Sequence, residues 1–195
     1  MKNYKFLLAV ATLTCFLNRP AHANNEAFRL SCSILNQTLE TTSVLNLIDW
    51  KVGDKMDYQV LAGGFGKIGT MIKSVTKDEG NALWMRQEMH LMSQNEIIDA
   101  LIDRANGKIL KLIRNGQETQ IPDDQIEIIS QEFTQVTVPA GTFDALHVIA
   151  KTKQISKLEI WANPPQTVMD GSLKQIMPTG FMTLTMELTA FQRGK

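Results

Sequence analysis

Cysteine, histidine and aromatic side chains are scarce in this 195-residue chain, which carries two cysteines, three histidines and only 7% Phe, Trp and Tyr. A disulfide scaffold is therefore excluded, and a zinc centre would have to be assembled from very few nitrogen and sulfur ligands. Charge of one sign is missing as well, since 20 Lys and Arg balance 20 Asp and Glu. Without a basic field to neutralise phosphates, a nucleic acid is not the expected partner. Long hydrophobic runs are absent too. The longest, Phe6 to Leu17, spans 12 residues, against the roughly 20 that a membrane-crossing helix requires.

That short run lies between Lys2 and Lys5 on one side and Ala21-His22-Ala23 on the other. A charged start, a short apolar stretch and small residues at the cleavage-reading positions predict a secretory signal peptide over 1–23, cut between Ala23 and Asn24. Cys15 raises lipoprotein processing as an alternative, but the residue before it is Thr14 and the apolar run continues past it. Cleavage would leave 172 residues with 17 basic and 20 acidic side chains, a net of −3 and no transmembrane segment. One domain, 24–195, is expected at this size. Cys32 is then alone, and it alternates with Phe28, Leu30 and Ile34 on one face of a first strand candidate, so a small buried hydrophobe is the simplest reading.

Turn residues recur at short intervals: Gly53-Asp54, Gly63-Gly64, Gly80-Asn81, Asn106-Gly107, Asn115-Gly116, Pro139-Ala140-Gly141, Asp170-Gly171 and Pro178-Thr179-Gly180. Such spacing predicts an all-β chain, a curved antiparallel sheet or open barrel-like meander with at most one or two short helices. The two Asn-Gly pairs predict consecutive type I′ hairpins joining strands at Ile98–Arg104, Lys108–Arg114 and Gln117–Ile121. Val136 and Val138 before Pro139, with Leu146, Val148 and Ala150 after it, predict another hairpin. In the last segment Met182, Leu184, Met186, Leu188 and Ala190 alternate with Thr183, Thr185, Glu187 and Thr189, a period of two. The stretch 82–92 fits a helix by propensity and a strand by context, and strand is the reading adopted. Short helical turns at Thr41–Ile48 or from Pro122 are further expectations.

Catalytic constellations are sparse. His90 and His147 sit within strand patterns, and no Gly-x-Ser-x-Gly elbow is present. Gly63-Gly64-Phe65-Gly66 lacks the Lys of a phosphate loop and reads as a hairpin end. Asp99 and Asp103 share one face, and Asp123-Asp124 forms an acidic pair, but both suit solvated strand and turn positions. No catalytic, metal or cofactor site is assigned.

Methionine is the feature above background, with nine residues after the signal segment. Soft, unbranched side chains adapt to varied apolar guests. Met85, Met89, Met182 and Met186 are the candidate ligand-binding residues, with a gap-filling core as the structural alternative.

Val136-Thr137-Val138-Pro139-Ala140-Gly141-Thr142-Phe143, then His147-Val148, Trp161-Ala162-Asn163-Pro164, Gly171-Ser172-Leu173-Lys174 and Thr185-Met186-Glu187-Leu188, follow one another in an order that resembles the DUF3108-like group of bacterial envelope proteins. Val52-Gly53-Asp54 with Tyr58, and Ile102 to Ile109, are similar to that group's first half, so the likeness spans Trp50 to Phe191. Asn163-Pro164-Pro165 departs from the group's pattern. The resemblance implies an extended curved sheet in a periplasmic, secreted or outer-membrane-associated protein, with no catalytic residues to carry over. Two functional expectations follow. One is a non-enzymatic binder of a lipid, acyl chain or apolar peptide on the Met-rich face; the other is an assembly partner of another envelope protein through a sheet edge. A hydrolase of another type is the third and weakest.

Overall fold

The computed structural model describes residues 48–92, 94–121, 127–151, 155–179 and 182–195. The signal segment with Ala23 and Asn24, Cys15, Cys32 and its strand candidate, Pro122 and Asp123-Asp124 lie outside the described residues. Eleven strands follow one another: β1 (Lys55–Ala62), β2 (Gly66–Asp78), β3 (Ala82–Leu91), β4 (Gln94–Asp103), β5 (Ile109–Arg114), β6 (Gln117–Thr119), β7 (Glu127–Val138), β8 (Gly141–Lys151), β9 (Leu158–Ala162), β10 (Ser172–Thr179) and β11 (Met182–Gln192). Among the described residues the one helical element is a single 3-10 turn, Pro164–Gln166.

All eleven form one open antiparallel sheet in the order β6-β5-β4-β3-β2-β1-β11-β10-β9-β8-β7. Chain geometry shows that it must be curved. In a flat sheet β6 and β7 would stand ten spacings apart, about 48 Å. Only eight residue steps separate Thr119 from Glu127, a reach of at most about 29 Å. The two outer strands are therefore drawn towards each other.

Alternation fills the inner face. Met56, Tyr58 and Val60 of β1, Met71 and Val75 of β2, Leu83 and Met85 of β3, Ile98, Ala100 and Ile102 of β4, and Met186 and Leu188 of β11 are buried in one cluster. The tip of the β7–β8 hairpin closes over it: Val136, Val138 and Ala145 join the cluster, and Ala140 N–H donates to the Leu188 carbonyl at 3.0 Å. A cross-strand row of mostly polar side chains runs through nine strands, Glu132, His147, Trp161, Lys174, Glu187, Gln59, Thr70, His90 and Asn95, each opposite the next.

The segment 82–92 is strand β3 up to Leu91, because tertiary pairing with β2 and β4 overrides its helical propensity. Asn115-Gly116 forms the expected turn, with φ of 49° and 80°. Asn106-Gly107 does not. Only Gly107 has positive φ there, and the Asp103 carboxylate accepts from Ala105 N–H at 2.8 Å and Asn106 Nδ2 at 3.0 Å, which shapes a longer loop. Short polar side chains can satisfy a loop backbone locally, so the two-residue turn was not required. Replacing Gly116 or Gly107 by Val is expected to cost about 1–2 kcal/mol each, since a β-branched residue resists positive φ; thermal melting of each variant checks this.

Candidate functional site

The loop between β9 and β10 crosses the inner face and is fastened there by buried polar groups. Lys73 Nζ on β2 donates to Asp170 Oδ2 at 2.8 Å, with the two side chains only 4% and 5% exposed. Tyr58 O–H donates to the Ser172 carbonyl at 2.8 Å, and Gln175 Nε2 to Ser172 Oγ at 3.0 Å. Burial, reinforced by the charge of Asp170, holds the Tyr58 hydroxyl above its ordinary titration range, so it remains a donor. The approach of β9–β10 to itself is equally tight. A Cβ on Gly171 would lie 2.2 Å from Pro164 N, and Asn163 Oδ1 accepts from Gln166 N–H at 3.0 Å. This is where Asn163-Pro164-Pro165 departs from the resembled group, and it builds a turn that seats Val168 and Met169 in the core.

The methionines divide. Met85 and Met186 are buried within the main core, whereas Met89 and Met182 are half-buried. Met89 on β3 and Met182 on β11 are separated by β2 and β1, so the four do not converge on one point.

Among the described residues, Asp99, Asp103 and His90 are each engaged by a neighbour. Asp99 is paired with Arg86 at 2.7 Å, Asp103 shapes its loop, and His90 Nδ1 lies 2.8 Å from Asn95 Oδ1. Trp84 Nε1 donates to Glu79 at 2.9 Å. Gly63-Gly64-Phe65-Gly66 is the β1–β2 turn with Phe65 exposed. No group of three metal-ligating side chains occurs among the described residues.

The edges of the sheet differ sharply. At one end β6 is three residues long, carries the Lys111–Glu118 ion pair, and borders an open groove of about 520 Å³ lined by Leu110, Leu112 and Ile121. Short, charged edges resist further pairing. At the other end β7 runs for 12 residues, and Glu127 to Phe133 are exposed on both faces. Ile128, Ile129 and Phe133 project there, Phe133 with 90% of its surface in solvent. No Lys, Arg or Pro guards the strand before Pro139.

Behind this edge sits a feature that residue counting did not assign. His147 on β8 is nearly buried, its ring stacked on Trp161 with centroids 4.1 Å apart and planes 5° from parallel. Nδ1 lies 3.2 Å from Glu132 Oε1 on β7, and Nε2 lies 3.2 Å from Glu159 Oε2 on β9. Lys157 Nζ also contacts Glu159 at 2.8 Å. Burial works against ionisation of Glu159, but Lys157 and His147 together hold its carboxyl below the ordinary carboxylate range. The missed signal was register: counting outward from the Pro139-Ala140 turn places Glu132 opposite His147.

No family model matches this sequence, so the DUF3108-like likeness remains a resemblance, and no curated protein matches it. The chain has weak likenesses to several solved structures. A hypothetical protein from Chlamydia trachomatis is 9% identical with a TM-score of 0.48, covering 76% of this chain and 90% of that one. MucB in complex with MucA(peri) is 11% identical with a TM-score of 0.43, covering 82% of this chain and 56% of that one. A Bacteroides fragilis protein with a YmcC-like fold, provisionally assigned as exported, is 12% identical with a TM-score of 0.37, covering 74% of this chain and 97% of that one. At these values the likeness assigns neither an activity nor a partner.

Proposed function

We propose that this chain is an exported, non-catalytic module of the cell envelope that recruits another envelope protein by adding an extended segment to the free edge of β7. The observation that carries this reading is the half-strand Glu127–Phe133, exposed on both faces and unpaired along one edge among the described residues. Backbone N–H and C=O groups along such an edge are a template for one more strand, and side chains on either face supply selectivity. Ile128, Ile129 and Phe133 call for apolar residues on both faces of the incoming strand. Glu127 and Glu132 are the only charges on β7, so the occupant should be an extended, apolar segment free of acidic residues.

A photoreactive amino acid placed in turn at Ile128 through Phe133 tests this directly. Strand addition should yield crosslinks along the whole half-strand to one short segment of one partner, and a synthetic peptide of that segment should bind. Phe133→Lys should leave the melting temperature within about 2 °C, because the side chain is exposed, and reduce that crosslinking at least tenfold. Crosslinks scattered over unrelated segments, or unaffected by Phe133→Lys, would reject the reading.

A second reading, uptake of a lipid, acyl chain or apolar peptide, draws on the half-buried Met89, Leu91, Met182 and Leu184. It predicts apolar dye binding that survives Phe133→Lys, so the same variant separates the two.

A further inference from the structure

We propose that His147 is a proton-controlled clamp that sets how firmly the docking half of β7 is held as a strand; the proposal rests on the edge-docking reading. The ring has a carboxylate at each nitrogen, 3.2 Å from Nδ1 and 3.2 Å from Nε2. Carboxylates only accept hydrogen bonds, and a neutral imidazole has one N–H to donate, so both contacts are satisfied only in the imidazolium form. Stacking against Trp161 fixes the plane of the ring, and a flip within that plane would turn Cδ2 and Cε1 to where the nitrogens now stand, so the observed orientation is the one that serves both carboxylates.

The groups facing this ring are few. Glu132 approaches from β7, Glu159 and Trp161 from β9, Lys157 reaches Glu159, and Lys174 of β10, opposite Trp161, is engaged by Glu187 at 2.9 Å. When the ring loses a proton, the remaining N–H must serve one carboxylate. Glu159 is one-fifth exposed and Glu132 is 70% exposed, so water can replace the ring for Glu132 far more cheaply. The proton therefore stays towards Glu159, the Nδ1 lone pair faces Glu132, and Glu132 turns to solvent. Its release removes one of the two charged ties from the exposed half of β7 to β8; the other, Glu127–Lys151 at 2.9 Å, is itself well exposed. The clamp is thus closed with the ring protonated and open with the ring neutral.

Hydrogen exchange on the protein alone reads the clamp, with rates referred to the intrinsic rate at each pH. Those amides of Ile128–Phe133 that bond to β8 are expected to gain about fivefold in protection between pH 8 and pH 5.5, while those of β3 change little. His147→Gln should flatten this dependence. Glu132→Gln, at a solvent-facing position that folding tolerates, should flatten it as well. Crosslinking from Ser130 should rise over the same interval in the natural chain and not in either variant. Protection that is independent of pH, or unchanged by Glu132→Gln, overturns the clamp while leaving strand addition standing. A pH-dependent half-strand without register-specific crosslinks overturns strand addition while leaving the clamp's chemistry intact.

Discussion

Removing the carboxylate of Asp170 is expected to cost about 3–5 kcal/mol, because the Lys73 ammonium would be left charged and out of water. The pair lies 2.8 Å apart with both side chains almost wholly buried, and Asp170 Oδ1 finds no hydrogen-bond partner among the described residues. The pair therefore has no reserve of alternative contacts. Urea denaturation of Asp170→Ala should show the midpoint falling sharply. The double variant Lys73→Met with Asp170→Leu should recover most of the loss, since two apolar side chains of similar volume need no mutual neutralisation. An unchanged midpoint in Asp170→Ala would mean that the loop over the inner face is not held by this pair.

Met186→Asp should be comparably severe. Met186 is 9% exposed in the centre of β11, between Val60 of β1 and Gln175 of β10, and shares the core with Leu188 and Tyr58. An isolated carboxylate there has no cation to meet and is expected to destabilise the fold by at least about 3 kcal/mol. Circular dichroism during heating measures it. A variant that folds normally and loses only apolar dye uptake would place Met186 on an open ligand surface and favour the second functional reading.

The alternation of β11 and the β7–β8 hairpin were legible because each buries apolar side chains with period two. Strand β3 was legible only by context: Arg86, Gln87 and Glu88 favour helix, and their strand conformation depends on partners remote in sequence. The β1–β11 pairing in the middle of the sheet joins residues more than a hundred positions apart, such as Gln59 and Glu187, and no local pattern announces it. The Lys73–Asp170 pair was hidden for the same reason. The edge carrying Ile128, Ile129 and Phe133 looks from sequence like any apolar strand, since exposure is a property of the neighbours a strand lacks. Glu132 opposite His147 could have been read from the Pro139-Ala140 turn, but Glu159 at the other ring nitrogen comes from β9 and could not.

The strand order is that of a plain meander whose two ends have been joined in its middle. β1 and β11 stand side by side although almost the whole described chain lies between them. Closing so long a loop carries a large entropic cost before its contacts are made, so this pairing is expected to form late in folding. Until β11 arrives, β1 and β10 are both unprotected edges. During synthesis β11 is the last of these eleven strands to be made, and for that interval two half-sheets must coexist with bare, apolar-flanked margins, the state in which such a chain is most open to chaperones and to misassembly.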